Sequence, residues 1–264
     1  MNPTHISSKE SALYNLIAEQ FTEQNAVYIA YSGGVDSTLV AYLATQVLGA
    51  QAQSVFFATP LMTPDETTQA THIAESIGLN LHVLSINPLE LEAVRMNWTD
   101  RCYHCKRFIF ENMVEAYPGA GLYDGTNYDD LHSNRPGLRA LKELGIKSPL
   151  TQAHLSKSDV RTLAEALKLP NAHKPSAPCL ATRFSPNSAL TPEGFARVAA
   201  AESILQAAGF SQVRVRDDYP RCSLEVHPYE VARLKEVFPT LCDALAGYYN
   251  DISYAPQGYQ GFIG

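Results

Sequence analysis

The chain has 264 residues, 45% of them apolar and 18% charged, with a formal net charge of −7. That length and composition describe a globular protein of one or two domains, and the acidic balance argues against a nucleic-acid partner, whose phosphates call for a basic stripe. No apolar run is long enough to cross a bilayer, and the opening Met-Asn-Pro-Thr-His lacks a basic-then-apolar leader, so a cytoplasmic protein without a membrane partner is expected.

Residues 8–24 are predicted as a leading helix, with Leu13, Leu16, Ile17 and Phe21 on one face. Residues 26–31 (Ala-Val-Tyr-Ile-Ala-Tyr) have the β-branched and aromatic content of a buried parallel strand. Ser-Gly-Gly-Val-Asp-Ser follows at 32–37, and 38–44 carries apolar residues at helical spacing. Residues 53–59 predict a second strand. A helix then opens with Thr63 as N-cap and Pro64 in its first turn, and stops at Gly78. Residues 81–86 predict a third strand, 108–117 a helix behind a Cys-x-x-Cys pair, and 121–127 a fourth strand ending in a polar loop. Ser-Lys-Ser-Asp at 156–159 opens a helix that ends near Leu169-Pro170. The alternation predicts an α/β fold with a doubly wound parallel sheet. Its ligands would gather at the strands' carboxyl ends, where Ser32, Thr59 and Thr126 lie.

Four prolines between 171 and 192 break the pattern and predict a linker. It divides a first domain, 1–172, from a second, 173–264. Residues 193–208 then read as a helix closed by Gly209, 213–216 and 223–226 as short antiparallel strands, 228–238 as a helix, and the tail as irregular. This is a small α+β unit. There is no internal repeat.

The hexapeptide at 32–37 carries the chemistry. Gly33 and Gly34 let the backbone turn tightly and approach a ligand. The helix behind them offers unpaired N–H groups and a positive dipole end, which suit phosphate. Ser32 and Ser37 add hydroxyls, and Asp36, which repels a bare phosphate, suits Mg²⁺ or a loop-orienting role. The alternative is an ordinary Ser-Gly-Gly turn. Cys102 and Cys105 sit at a helix start, where the dipole favours thiolates. Cys179 lies between Lys174 and Arg183, either of which would lower its pKa. Four readings of these thiols stand side by side: a zinc site completed by His104 or His173, a redox dithiol, unliganded thiols, and a cluster or sulfur-carrying role. Cys222 and Cys242 have no motif around them and read as small core residues.

The hexapeptide resembles the PP-loop of ATP pyrophosphatases, which cleave ATP between the α and β phosphates. It lacks the Gly-Lys-Ser/Thr ending of the Walker loop. Over nearly its whole length the chain resembles the LarE-type ATP-dependent sulfur insertases. The matching stretches are 32–37, Arg-Cys-Tyr-His-Cys-Lys at 101–106, Asp-Gly-Thr-Asn-Tyr-Asp-Asp at 124–130, Arg-Pro-Gly at 135–137, 156–161, 174–183, and Val-Arg-Val-Arg at 213–216.

The resemblance implies an enzyme that adenylates a carboxylate of a pyridinium mononucleotide and replaces AMP with sulfur, in nickel-pincer nucleotide synthesis. Two forms are implied. In one, Cys179 gives up its own sulfur. In the other, Cys102, Cys105 and Cys179 hold a 4Fe–4S cluster fed by a sulfide donor; three cysteines favour this second form. ATP and Mg²⁺ would be held by Ser32, Gly33, Gly34, Asp36 and Ser37, with Asp36 on the metal and with Thr126, Asp129 and Arg183 beside the nucleotide. Trp98 would stack on the pyridinium ring, although core packing is an equal alternative, and Arg214 and Arg216 would grip its phosphate, although they also read as solvated arginines. A homo-oligomer is implied. The tail departs from the family, because Pro256 breaks a continuous strand, and a different acceptor is one consequence. A tRNA-thiolating PP-loop enzyme, an amidating ligase and a nucleotide sensor are the rival readings.

Overall fold

A computed structural model of the chain describes residues 8–21, 26–132, 136–175 and 178–260. Residues 22–24 of the leading helix, Arg135 of the Arg-Pro-Gly match, and Ser176 and Ala177 beside Cys179 lie outside them, as does the side chain of Leu13. The chain divides into two compact units. The first takes Met1–Pro88 and Cys102–Ala177, and the second Leu89–Arg101 and Pro178–Gly264. One crossing falls close to the expected boundary after residue 172. The other does not, because residues 89–101, expected in the first domain, join the second unit.

In chain order the elements are α1 (Ser8–Ala18), β1 (Val27–Tyr31), α2 (Val35–Leu48), β2 (Ala52–Ala58), α3 (Pro64–Ser76) and β3 (Leu81–Ser85). Next come α4 (Glu92–Arg95), a part of the second unit, then α5 (Arg101–Ala116), β4 (Gly121–Tyr123), α6 (Gly137–Glu143), α7 (Pro149–Gln152) and α8 (Lys157–Ala166). The first unit's sheet is parallel throughout, in the order β3-β2-β1-β4.

Alternation along β1 explains why both sheet faces are covered. Val27, Ile29 and Tyr31 enter a core with Leu39, Leu43 and Leu163 of α2 and α8. Tyr28 and Ala30 face the opposite cluster, where Phe110 and Met113 of α5 pack with Leu122 and Leu141. Burial on both faces is what a parallel strand requires. Helix α3 begins with a reciprocal capping box: the Glu66 N–H donates to Thr63 Oγ1 at 3.2 Å and the Thr63 N–H to Glu66 Oε2 at 2.8 Å. In α1, Ile17 is buried but Leu16 is exposed, so the predicted apolar face is narrower than its spacing indicated.

The second unit continues with α9 (Pro192–Ala207), β5 (Val213–Asp218), β6 (Arg221–Val226), α10 (Val231–Leu245) and β7 (Asp251–Tyr254). Its sheet runs β5-β6-β7, with β5 antiparallel and β7 parallel to β6. Two expectations are corrected here. Helix α10 does not stop at Phe238 but passes through Pro239 to Leu245, because Leu241 and Leu245 extend its buried face into the core shared with Val215 and Leu224. Pro239 removes one backbone donor, and the apolar contacts on either side keep the helix going. The tail is not irregular throughout: β7 pairs Cys222↔Ile252 and Leu224↔Tyr254, and the strand does not continue through Pro256.

Candidate functional site

The first unit's site forms where strand order turns back, at the carboxyl ends of the neighbouring strands β1 and β4, the usual ligand crevice of an open α/β sheet. Gly33 sits at φ 71°, and a Cβ there would stand 2.7 Å from the Ala70 Cβ. Both the backbone angle and the space demand glycine. Gly34 is extended at φ −81°, and it caps α2. The two loop serines turn towards each other rather than outwards. The Ser32 N–H donates to Ser37 Oγ at 3.1 Å, the two hydroxyls stand 3.0 Å apart, and Ser37 Oγ donates to the Gly34 carbonyl at 3.2 Å. Ser37 is a buried brace of the loop. The buried Asn171 Nδ2 braces it from outside, donating to the Gly33 carbonyl at 3.0 Å and to Thr38 Oγ1 at 2.8 Å.

Asp36 starts α2 and is already engaged. Asn127 Nδ2 donates to its Oδ1 at 3.1 Å, and the Lys157 ammonium pairs with its Oδ2. Lys157 is the first residue of α8, and its backbone N–H donates to Asp129 Oδ2 at 2.8 Å. Asp129 thus caps a helix, and through Lys157 it is tied to the PP-loop. Thr126 is buried, with its hydroxyl and N–H both donated to Asp124. Asp124 also accepts from Ser148 Oγ at 2.6 Å and faces Lys106 Nζ at 3.8 Å. Thr126 therefore shapes the loop after β4. The donor set of this crevice fits a nucleotide with Mg²⁺: one carboxylate, a lysine, and the N-terminus of a long helix beside a glycine turn.

Cys102 and Cys105 occupy the first turn of α5, Cys102 exposed and Cys105 partly so. Residues three apart on a helix lie on neighbouring positions of one face, so the donor chemistry fits two ligands of a cluster from this unit. Among the described residues no group of three or more His, Cys, Asp and Glu side chains stands together as a metal set. His173, one candidate zinc ligand, pairs with Glu165 at 3.0 Å.

The second unit holds Cys179 and a cavity of about 240 Å³. Trp98, Arg214 and Arg216 all line this cavity, together with Arg101, Thr182 and Tyr259. Alternation along β5 sends Val213 and Val215 into the core and both arginines to the other face. Trp98 is 42% exposed, which rules out plain core packing. It is delivered by Asn97, whose positive φ of 52° turns the chain and whose buried amide donates to the Ser185 carbonyl at 2.8 Å. Arg216 donates to the Thr182 carbonyl at 2.6 Å and pairs with Glu225 at 2.8 Å. Burial, and then the neighbouring Arg183, push the Arg214 guanidinium below its ordinary pKa.

Arg183, expected at the nucleotide, is instead 5% exposed and paired inside the second unit. Its Nε and Nη2 grip the two Glu202 oxygens at 2.9 and 3.1 Å, and Nη1 donates to the Pro178 carbonyl at 2.6 Å and to the Cys179 carbonyl at 3.3 Å. It clamps the Cys179 loop, and its charge is answered by Glu202. The roles of Lys157, Asn171, Asn97 and Arg101 went unread in the sequence. Lys157 and Arg101 stand inside quoted motifs without an assigned task, and nothing local marks the two asparagines.

The fold and crevice define an α/β PP-loop protein, a class that uses ATP and Mg²⁺. The sequence model of the NAD synthase family matches residues 6–114. An uncharacterized protein of Synechocystis is 38% identical over 225 residues, 84% of each chain. The pyridinium-3,5-bisthiocarboxylic acid mononucleotide synthase of Lactiplantibacillus plantarum is 37% identical over 194 residues, 72% of this chain and 70% of that one. An uncharacterized protein of Methanocaldococcus jannaschii is 34% identical over 208 residues, 78% of this chain and 79% of that one. The chain belongs to the LarE-type family of PP-loop proteins, a family of ATP-dependent sulfurtransferases.

Proposed function

We propose that the chain adenylates a carboxylate of a pyridinium mononucleotide and replaces AMP with sulfur, as a cytoplasmic homo-oligomer serving nickel-pincer nucleotide synthesis. The observation that carries this reading is the link between Cys179 and the arginine cavity. Thr182, which lines the cavity beside Arg214 and Arg216, donates its N–H and hydroxyl to the Cys179 carbonyl at 3.0 and 2.8 Å. A sulfur-bearing turn is thereby fixed to the wall of an arginine-lined cavity.

The chemistry follows from the groups present. A carboxylate oxygen attacks the α-phosphorus of ATP, the α–β bond breaks and pyrophosphate leaves. The PP-loop and the α2 N-terminus hold the departing phosphates, and Asp36 is the residue that would hold Mg²⁺. The acyl adenylate is open to a thiolate, because AMP leaves far more readily than oxide. In the sacrificial form Cys179 Sγ attacks the carbonyl carbon and expels AMP. Loss of the Cys179 α-proton then breaks its Cβ–S bond, giving a thiocarboxylate and dehydroalanine. Cys102, Cys105 and Cys179 are the thiolates that would hold a 4Fe–4S cluster, which supplies an exchangeable sulfide when bound, so that an outside sulfide donor renews the sulfur. Arg214 and Arg216 take the substrate phosphate, and Trp98 offers its face to the cationic ring.

The test is ATP–pyrophosphate exchange with a pyridinium dicarboxylate mononucleotide, followed by mass analysis of the acceptor. Exchange that requires the mononucleotide, with a thiocarboxylate product, supports the reading. Exchange without it, or an amide formed from ammonia, overturns it.

A further inference from the structure

The chain's last described residues reach the cavity. After β7 the Ala255 N–H donates to the Leu224 carbonyl at 2.9 Å, and the Tyr259 N–H to the Val226 carbonyl at 2.7 Å. Gly258, between them, stands at φ 69°, and a Cβ there would lie 2.7 Å from the Val226 oxygen and 3.0 Å from the Pro228 Cα. Only glycine makes this turn. Its product is the placement of the Tyr259 ring in the cavity wall, with its centroid 5.2 Å from the Arg214 guanidinium carbon. That distance is within the roughly 6 Å at which an aromatic face attracts a cation.

Arg214 is 9% exposed, its Nη1 donates to the carbonyl of its own neighbour Val213 at 2.6 Å, and its side chain also hydrogen-bonds Tyr259. The cavity of about 240 Å³ falls below the roughly 300–1,000 Å³ of pockets that enclose a whole drug-sized ligand. A cavity of that size with two arginines in its wall suits one charged end of a nucleotide, the phosphate.

We propose that Tyr259 is a positioning residue for the substrate phosphate, holding the Arg214 guanidinium in place at the cavity wall. This rests on the reading of the cavity as the mononucleotide's anion site. The tail thus acts on selectivity for phosphorylated over dephosphorylated acceptors.

The test is calorimetric binding to the full chain of a pyridine-carboxylate mononucleotide and of the same nucleoside without phosphate. Wild type, Tyr259→Leu, Tyr259→Phe and Gly258→Ala are compared. Loss of a cation–π contact of about 0.5–2 kcal/mol corresponds to roughly 2- to 30-fold weaker binding. That loss is expected for Tyr259→Leu with the mononucleotide only. Tyr259→Phe keeps the ring but loses the hydroxyl's hydrogen bond to Arg214, and is expected between wild type and Tyr259→Leu. Gly258→Ala, which retains the ring but displaces it, is expected to behave like Tyr259→Leu. Equal affinities of wild type and Tyr259→Leu overturn the proposal, as does an equal loss for the nucleoside. A wild type that does not distinguish the two ligands overturns the anion-site reading itself.

Discussion

Asp36 is an acid in a loop built for phosphates, and Lys157 is what makes it tolerable. The ammonium sits on the carboxylate, held at the head of α8 by Asp129. In the proposed reaction Asp36 would face the Mg²⁺ of an entering triphosphate and Lys157 a phosphate oxygen. Replacing Lys157 with Met leaves Asp36 opposing the nucleotide and removes a charge-assisted contact of about 1.5–3 kcal/mol. The KM for ATP is expected to rise about tenfold or more in a pyrophosphate-release assay. An unchanged KM would show that the lysine only braces the loop. The loop glycines, the serines and Asp36 are legible because six adjacent residues carry them. Lys157 lies 121 positions away from Asp36, and in the sequence it is simply the first residue after a Ser N-cap.

At the scale of elements, the second unit depends on a buried ion pair. Arg183, from the turn after Cys179, meets Glu202 of α9, and Glu202 also accepts the Val215 N–H of β5 at 3.0 Å. Three elements thus converge on one carboxylate. Removing one partner of a buried pair costs about 3–5 kcal/mol, because the other charge is left uncompensated. Glu202→Gln is expected to lower the second unit's stability by about 3 kcal/mol. The single tryptophan, Trp98, belongs to this unit, so its fluorescence in urea follows the transition directly. A midpoint within experimental error of wild type would contradict the clamp. Local signals made several elements readable: the Thr63 N-cap and Pro64 of α3, the β-branched and aromatic content of β1, the Val-Arg alternation of β5, and the glycine after α3. The sequence predicts an end to α10 at Phe238 because Pro239 is a local signal, whereas the burial of Leu241 and Leu245 is a tertiary one. Strand β7 is short and gains its meaning only from pairing with β6. The cysteine pair was seen, while the role of 89–101 in the second unit was not, since long-range attachment through Asn97 leaves no trace in spacing.

For the molecule as a whole, the two units carry their own alkaline sensors. Burial pushes the Tyr31 phenol of the first unit up to about 12, and burial, followed by Asp217, pushes the Cys222 thiol of the second up to about 12. In the unfolded chain these groups ionise near 10 and 9. The unfolded state therefore gives up its protons first. Stability is intact below pH 9 and falls between about 9 and 12, by about 1.4 kcal/mol per pH unit for each proton. Cys222→Ala is expected to flatten that fall in the Trp98 signal, and an identical pH profile would contradict the assignment. Among the described residues no helix is long and apolar enough to cross a membrane. The most direct measurement is a single turnover of Cys179→Ser with ATP and the mononucleotide. The account predicts that pyrophosphate is still released while no thiocarboxylate forms. Thiocarboxylate formed at the wild-type yield would contradict it.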